Sequence, residues 1–340
     1  MKISLCVIFL MVFGTSELVA QQINARWELK ETPVKASLRG LSVCSDEVVW
    51  ASGSRGTWLQ TIDGGESWNH GIIAGLDSVD FRSIHAFNEK VAVAVSAGEP
   101  AVIYKTTDGG VTWELKSTQS PPAFLDGIHF VDKKRGYVFG DPVDGKWMFL
   151  VTEDGGDNWK RIDQAPNVTE GEAGFAASGS SMVALKNSIW IGSGGKESKI
   201  WQSLDRGNTW ESYTSPLLQG KPSQGIFAIC LVENQRIVAV GGDYLKPEEK
   251  GGTSGMFQLG QKSWQTSDAS PNGYRSGVTY LKGKKWVIAV GPNGGDISLD
   301  QGDTWTSFSG ESFHAVKSDS KGRSVWASGA GGRIGKLNFQ

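Results

Sequence analysis

The chain has 340 residues, a length that suits two average domains or one large all-β domain. Its net charge of -2 gives neither the basic footprint of a nucleic-acid-binding protein nor a polybasic membrane-binding surface. With 45 Gly and 14 Trp but only 11 Pro, the composition favours many short strands joined by tight turns.

The first 20 residues have the pattern of a secretory signal peptide. Lys2 supplies a positive charge, residues 3–13 form an apolar run, and Ala20 is a small residue at the expected cleavage point. The apolar run is too short for a stable membrane span. We therefore expect a mature chain that begins near Gln21, has no membrane span, and is periplasmic or secreted.

The Trp residues of one recurring pattern predict the repeat. They stand at positions 27, 68, 113, 159, 210, 264 and 305, at intervals of 41 to 54 residues. Such a period, with strand patterns inside it, indicates a β-propeller with one blade per repeat. In the second repeat, four strands are predicted at 81–87, 91–96, 101–107 and 112–116, which is the content of one antiparallel blade.

Seven inner strands are predicted, and they begin near Leu38, Phe81, Phe124, Gly174, Ile226, Tyr274 and Phe313. The last repeat supplies only three strands, at 312–317, 324–329 and 333–339, and lacks an outer strand. A strand predicted at residues 27–31 can take that place. Closing the ring with both termini removes an exposed sheet edge. The prediction is an all-β, monomeric, seven-bladed β-propeller of four-stranded antiparallel blades over residues 21–340, closed by the N-terminal strand that completes the last blade.

Most of these Trp residues end an Asp-box, the motif Ser/Thr-x-Asp-x-Gly-x-Ser/Thr-Trp. Full copies occur at 61–68, 106–113, 203–210 and 298–305, while 152–159 departs only at Asn158 and 257–264 is badly degraded. The carboxylate can accept hydrogen bonds from the N–H groups of its own turn, and Gly supplies the positive φ. We predict structural roles for the box aspartates, which are Asp63, Asp108, Asp154, Asp205 and Asp300.

Two cysteines, Cys44 and Cys230, remain in the predicted mature chain. They fall on inner strands of blades that are not neighbours, so the Cα approach that a disulfide requires is not expected and free thiols are predicted. The sequence has no Cys/His cluster with zinc spacing and no nucleotide-binding glycine loop. We therefore predict neither a metal nor a cofactor.

The starts of the inner strands predict a binding site on the face opposite the Asp-boxes. Alignment of these strands places Arg39, Arg82, Asp126, Phe175, Phe227, Arg275 and His314 at one equivalent position, as an arc of cationic groups facing two aromatic rings. Loops on this face add Glu99, Asp141, Asp144, Asp243 and Tyr244. Because Arg offers a planar fork for carboxylates, the site would suit an acidic peptide or another carboxylate-bearing ligand.

A purely structural interpretation of the same residues remains open. Asp126, Asp141 or Asp144 could neutralise the arginines, so that they line a wet channel without function. His314 could be a packed channel residue, and the two phenylalanines could be plugs.

The segments 38–41 (LRGL), 50–57 (WASGSRGT) and 61–68 (TIDGGESW) resemble the first blade of the photosystem II assembly and stability factor family. The resemblance implies an exported, seven-bladed, non-catalytic scaffold that binds a client protein. It also implies an arginine patch on the ring, for which Arg39, Arg82 and Arg275 are the candidates. The predicted simple export signal and the Gln21-Gln22 start differ from the plastid setting of that family.

A second class of function is a glycoside hydrolase, because sialidases and some endoglucanases also carry Asp-boxes. Such enzymes need two carboxyl groups about 5 to 9.5 Å apart, and the candidates are Glu99, Asp126, Asp141, Asp144, Glu172 and Asp243. The Arg-Ile-Pro motif of sialidases is absent, with Arg39-Gly40-Leu41 in its place. The sequence therefore favours a binding module over an enzyme.

Overall fold

The computed structural model describes residues 24–339, so the predicted signal peptide at 1–20 lies outside the described residues. Within the described range the chain forms β-strands and turns, with a short 3₁₀ turn at Ala330–Gly332. No helix in this range is long and apolar enough to cross a bilayer. The free thiols of Cys44 and Cys230 lie apart, without a disulfide.

Strand β1 (Ala25–Lys30) begins the described chain, and three four-stranded antiparallel blades follow it. Blade 1 contains, from the axis outward, β2 (Leu38–Val43), β3 (Val49–Gly53), β4 (Thr57–Thr61) and β5 (Asn69–Ile72). Blade 2 contains β6 (Asp80–Ala86), β7 (Ala92–Ala97), β8 (Ala101–Thr106) and β9 (Glu114–Gln119). Blade 3 contains β10 (Leu125–Phe130), β11 (Gly136–Val143), β12 (Lys146–Thr152) and β13 (Lys160–Arg161).

The next two blades are joined by two very short strands, β14 (Glu172–Ala173) and β17 (Gly194–Gly195), which extend the sheet of blade 5. Blade 4 contains β15 (Met182–Leu185), β16 (Ser188–Gly192), β18 (Lys199–Ser203) and β19 (Glu211–Thr214). Blade 5 contains β20 (Lys221–Val232), β21 (Arg236–Asp243), β22 (Ser254–Gln258) and β23 (Ser263–Thr266).

Blade 6 contains β24 (Gly277–Leu281), β25 (Trp286–Gly291), β26 (Gly294–Ser298) and β27 (Thr306–Ser309). Blade 7 contains β28 (Ala315–Ser318), β29 (Val325–Ser328), β30 (Ile334–Phe339) and, as its outer strand, β1. The two terminal strands pair in antiparallel register from Ala25↔Phe339 to Lys30↔Ile334. The predicted seven-bladed propeller and its closure by the N-terminal strand are therefore confirmed.

The hydrophobic core lies between adjacent blades. One buried cluster joins Trp50 and Trp58 of blade 1 to Phe81 and Ile84 of blade 2. Apolar side chains on both faces of each sheet are buried in this way, which explains why middle strands such as β3 and β7 have almost continuous apolar sequences. Each blade therefore depends on its neighbours for burial.

The Asp-box turns have the expected hydrogen bonds. In the first box, Asp63 Oδ1 accepts from the backbone N–H of Ser67 at 2.9 Å, and the Thr61 hydroxyl accepts from the N–H of Gly65 at 2.8 Å. The Ser67 hydroxyl donates to Asp63 Oδ2 at 2.5 Å and, together with the Ser67 N–H, lowers the pKa of Asp63 to about 2. The variant box keeps the geometry because Asn158 Nδ2 donates to Asp154 Oδ2 at 2.8 Å, in place of a hydroxyl.

The predicted start of the fourth inner strand at Gly174 is wrong, because that strand begins at Met182. Glu172 and Ala173 pair instead with the two glycines of β17. The Glu172 carboxylate fixes this arrangement by accepting from Trp201 Nε1 at 2.6 Å and from the Ser193 hydroxyl at 2.5 Å. Residues 174–181 are consequently a connector that reaches the axis and not a strand.

Candidate functional site

Irregular pairing at the start of four inner strands sets the position of the candidate residues. The register between first and second strands shifts at 38–40, 80–83, 125–127 and 226–228. A β-bulge leaves one residue outside the ladder and redirects its side chain. The residues in these bulges include Arg39, Arg82, Asp126 and Phe227, all from the predicted set.

A cavity of about 450 Å³ lies where these strands begin. One side of it is charged or polar, and the other side is aromatic. The lining residues are Arg39, Arg82, Asp141, Ser276 and His314 on the polar side, Phe124, Phe175, Phe227, Tyr244 and Tyr274 on the aromatic side, with Gly174, Ala176, Ala177 and Pro292 between them.

The aromatic side is a packed wall. The rings of Phe175 and Phe227 stack with centroids 3.8 Å apart, and Tyr274 meets Phe227 edge-on at 4.8 Å. Tyr244 completes the wall at 6.0 Å from Phe227 and remains 48% exposed, so its ring forms an accessible rim. Such a wall can bind an apolar or aromatic side chain of a ligand.

The two arginines of the polar side have different environments. Arg39 is half-buried, and its Nη1 donates to the carbonyl oxygen of Ala177 at 3.0 Å, across the axis from blade 1. Burial and the nearby Arg82 lower the pKa of Arg39, although a guanidinium remains charged at neutral pH. Arg82 forms an ion pair through Nε with Asp80 at 2.7 Å, which leaves its terminal nitrogens available.

His314 adjoins both arginines. Its Nε2 lies 3.2 Å from the Ser37 hydroxyl, and burial, followed by the charges of Arg39 and Arg82, lowers its pKa to about 4. The imidazole is therefore neutral at pH 7. It can donate or accept a hydrogen bond, but it does not add a third positive charge to the cavity.

The depressed pKa of His314 predicts a pH-dependent loss of stability. Because the folded pKa is below the unfolded value of about 6.5, the unfolded state binds more protons between pH 6.5 and 4, and stability falls as the pH falls through this range. In His314→Gln the slope of unfolding free energy against pH should be smaller by about 1 kcal/mol per pH unit. Urea denaturation at several pH values checks this, and an unchanged slope would contradict the environment described for His314.

The predicted position of Arg275 in the pocket is wrong. Its side chain is fully buried and forms an ion pair with Asp296, with Nε and Nη2 lying 2.6 and 2.5 Å from Oδ2. The remaining donors bind the carbonyl oxygens of Tyr274 and Asn272. Arg275 precedes β24, and its side chain turns into its own blade, where it meets Asp296 on β26.

Asp126 lies beneath the cavity and does not line it. It is fully buried, and neither carboxylate oxygen has a hydrogen-bond partner within residues 24–339. A Cβ on Gly174 would lie 2.2 Å from its Oδ2, so glycine is needed for this approach. Burial and the neighbouring Asp141 raise the pKa of Asp126 well above its usual range, and Arg82 acts in the opposite direction.

Of the other predicted acidic residues, one lines the cavity and three do not. Asp141 lines the cavity and accepts from the backbone N–H of Gly174 at 2.8 Å. Glu99 and Asp144 are exposed in turns and are not among the residues that line the cavity. Asp243 also does not line it, because its buried carboxylate accepts from Gln224 Nε2 and from the N–H of Leu245.

Sequence reasoning did not include Phe124, Tyr274 or the Ala177 carbonyl in the site. Phe124 immediately precedes the inner strand of blade 3, and Tyr274 precedes that of blade 6. Their aromatic side chains at these positions could have indicated a place in the site. The contribution of Ala177 depends on the connector 174–181, whose path is fixed by the distant pairing of Glu172 with Gly195. No local pattern in the sequence indicates that pairing.

Comparisons with known proteins match the first part of the chain by sequence and most of it by fold. The family described as photosynthesis system II assembly factor YCF48 matches residues 19–122. The chloroplastic photosystem II stability/assembly factor HCF136 of Arabidopsis thaliana is 28% identical over 114 residues, which cover 33% of this chain and 27% of that protein. The aligned stretch is thus a small part of that relative.

Two solved structures share the fold over nearly their whole length. A structure described as YCF48 bound to D1 peptide has a TM-score of 0.65 and 18% identity, covering 92% of this chain and 97% of the other. A streptogramin B lyase has a TM-score of 0.69 and 14% identity, covering 93% and 98%. At these identities the likeness shows the fold alone, and the fold serves both a binding protein and an enzyme. Residues 19–122 are therefore similar to photosystem II assembly factors, and the described chain as a whole shares the β-propeller fold of these structures.

Proposed function

We propose that this chain is an exported, non-catalytic scaffold that binds a protein client, and that the axial cavity receives a carboxylate-bearing segment of that client. The observation that carries the proposal is Arg39, a half-buried guanidinium that faces the cavity without a carboxylate partner among residues 24–339. A buried charge is costly unless it is paired. A ligand carboxylate would supply the missing counter-charge.

The other walls of the cavity specify more of the ligand. Arg82 offers free terminal nitrogens beside Arg39, and neutral His314 offers a further hydrogen-bonding group. The stacked Phe175 and Phe227 face this polar side, so the ligand should carry an apolar or aromatic group near its carboxylate. A peptide with an acidic group or a free C-terminus next to an apolar side chain has both features.

The surroundings of the cavity favour a protein client over a free small molecule. Tyr244 and Leu245 form an exposed rim, at 48% and 71% exposure, on the long loop between β21 and β22. Large apolar side chains at the rim of a polar and aromatic pocket are typical of protein-binding surfaces. The neighbouring structure described as bound to a D1 peptide supports the same class of ligand.

The carboxylates support binding rather than glycoside hydrolysis. Among the residues described, Asp141 is the one carboxylate that lines the cavity. A glycosidase needs two carboxyl groups that reach the substrate, whereas Asp126 is fully buried and Asp243 is committed to hydrogen bonds. Glu172 is equally committed, to Trp201 and Ser193.

A library of short synthetic peptides tests the proposal, with each sequence made once with a free C-terminus and once amidated. We expect wild-type protein to select peptides with a carboxylate beside an apolar residue. Arg39→Met should weaken binding of the selected peptides at least about thirtyfold, because it removes a charged donor from an enclosed site. Arg55→Gln, which changes an exposed arginine outside the cavity, serves as the control.

Equal binding of the free and neutral peptides, or equal affinities for wild type and Arg39→Met, would contradict the proposed carboxylate recognition. Hydrolysis of glycan substrates by the wild type, lost on Asp141→Asn, would support the enzyme alternative instead.

A further inference from the structure

Partly or fully buried Lys and Arg side chains within residues 24–339 form ion pairs with carboxylates, with two exceptions. The paired residues are Lys30, Arg82, Lys105, Lys116, Arg135, Lys199, Arg236, Arg275 and Lys336. The exceptions within residues 24–339 are Arg39 and Lys317. Both stand on inner strands of the ring, where the blades face the axis.

Lys317 lies farther along the axis than the cavity already described. Lys317 lies on the inner strand of blade 7, three residues after His314, which precedes that strand; this spacing is about 10 Å along an extended chain. No hydrogen bond or ion pair to Lys317 occurs within the described residues. Loss of hydration lowers its pKa to about 8, so the ammonium is still mainly protonated at pH 7.

His85, His129 and Cys230 lie on the inner strands of blades 2, 3 and 5, and each stands three residues after the aligned axial position of its strand, as Lys317 does after His314. No carboxylate is among the charges that act on Lys317. His85 of blade 2 and His129 of blade 3 both lie close enough to Lys317 for its charge to lower their pKa values, to about 3 and about 4. Burial is the larger cause for both rings. Cys230 of blade 5 is also near, and burial raises its pKa to about 12, so it is a neutral thiol.

We propose that a small inorganic anion of the chloride type binds on the propeller axis at Lys317, with His85 and His129 beside it. An ammonium in a poorly hydrated site needs a counter-charge, and the described chain supplies none. The neutral imidazoles and the thiol can act as weak additional donors. The enclosed ring of strands favours a compact ion over an extended acidic peptide. This site is separate from the client cavity and does not depend on its function.

Thermal unfolding at pH 7 tests the proposal, in sodium chloride and in sodium gluconate at the same ionic strength. Chloride at ten times its dissociation constant should raise the unfolding midpoint of the wild type by about 2 °C and should saturate. Lys317→Met removes the charge at similar length and should abolish the difference between the salts. Lys321→Met changes an exposed lysine of the same blade and should behave as the wild type.

A crystal of the wild type grown in bromide provides a second measurement that does not require a stable variant. The proposal predicts an anomalous peak in contact with Lys317 Nζ. The absence of this peak, or an equal chloride effect in wild type and Lys317→Met, would overturn it.

Discussion

Deletion of residues 24–30 should prevent the propeller from forming a cooperatively folded ring. These residues include all of β1, which supplies the outer strand of blade 7 and pairs along the whole of β30. Without it, β30 becomes an unpaired edge at the C-terminal end of the chain, and exposed edges promote association of chains. Circular dichroism melting and size-exclusion chromatography should show a lost or broadened transition and oligomers.

A single substitution in the same strand allows a graded measurement. The ring of Trp27 packs 4.9 Å from Phe313, beneath the adjoining strands of blade 7. Trp27→Ala should lower the unfolding free energy by about 3 kcal/mol, at the lower end for a large aromatic because Trp27 is partly exposed. Arg26→Ala, an exposed change on the same strand, should change it by less than about 0.5 kcal/mol. Equal effects of the two substitutions would show that closure does not depend on this packing.

Arg275→Met should destabilise the fold by about 3 to 5 kcal/mol, because it leaves the Asp296 carboxylate buried without its partner. Arg39→Met should have a much smaller effect on unfolding, since Arg39 has no ion pair to lose. Chemical denaturation of the two variants measures this contrast. The two arginines are therefore expected to serve different purposes despite their equivalent places in the repeat.

The double variant Arg275→Met, Asp296→Asn provides the control for the buried ion pair. It should recover part of the stability that the single variant loses, because no unpaired charge remains. If Arg275→Met left stability unchanged and weakened client binding, Arg275 would belong to the binding site after all.

The repeats made the fold predictable from sequence. The contacts of an Asp-box residue such as Asp63 lie within one turn, so a few neighbouring residues in the sequence are enough to predict its structural role. The number of blades and the closing strand follow from counting these local units. The inner strand predicted to start at Gly174 begins instead at Met182, because Glu172 pairs with Gly195. The periodic pattern of the sequence does not predict this contact.

The candidate site was less predictable because alignment of the repeats assumed one geometry for every inner strand. The bulges at Arg39, Arg82 and Phe227 fit that assumption, and these residues do line the cavity. In blade 6 the first and second strands pair without a bulge, and Arg275 forms its ion pair with Asp296 on the third strand of the same blade. The sequence contains both residues of this pair but gives no reason to join them.

Site-specific photo-crosslinking in the native host tests the central claim, that the axial face holds the client. A photo-crosslinking phenylalanine analogue would replace Tyr244 at the rim of the cavity or, as a control, Leu204 in an Asp-box turn on the opposite face. The two side chains are 48% and 54% exposed, so they are equally available for reaction.

We expect one specific protein adduct from position 244, reduced strongly when Arg39→Met is present, and no such adduct from position 204. A specific adduct from position 204, or an adduct from position 244 that Arg39→Met does not change, would contradict the account.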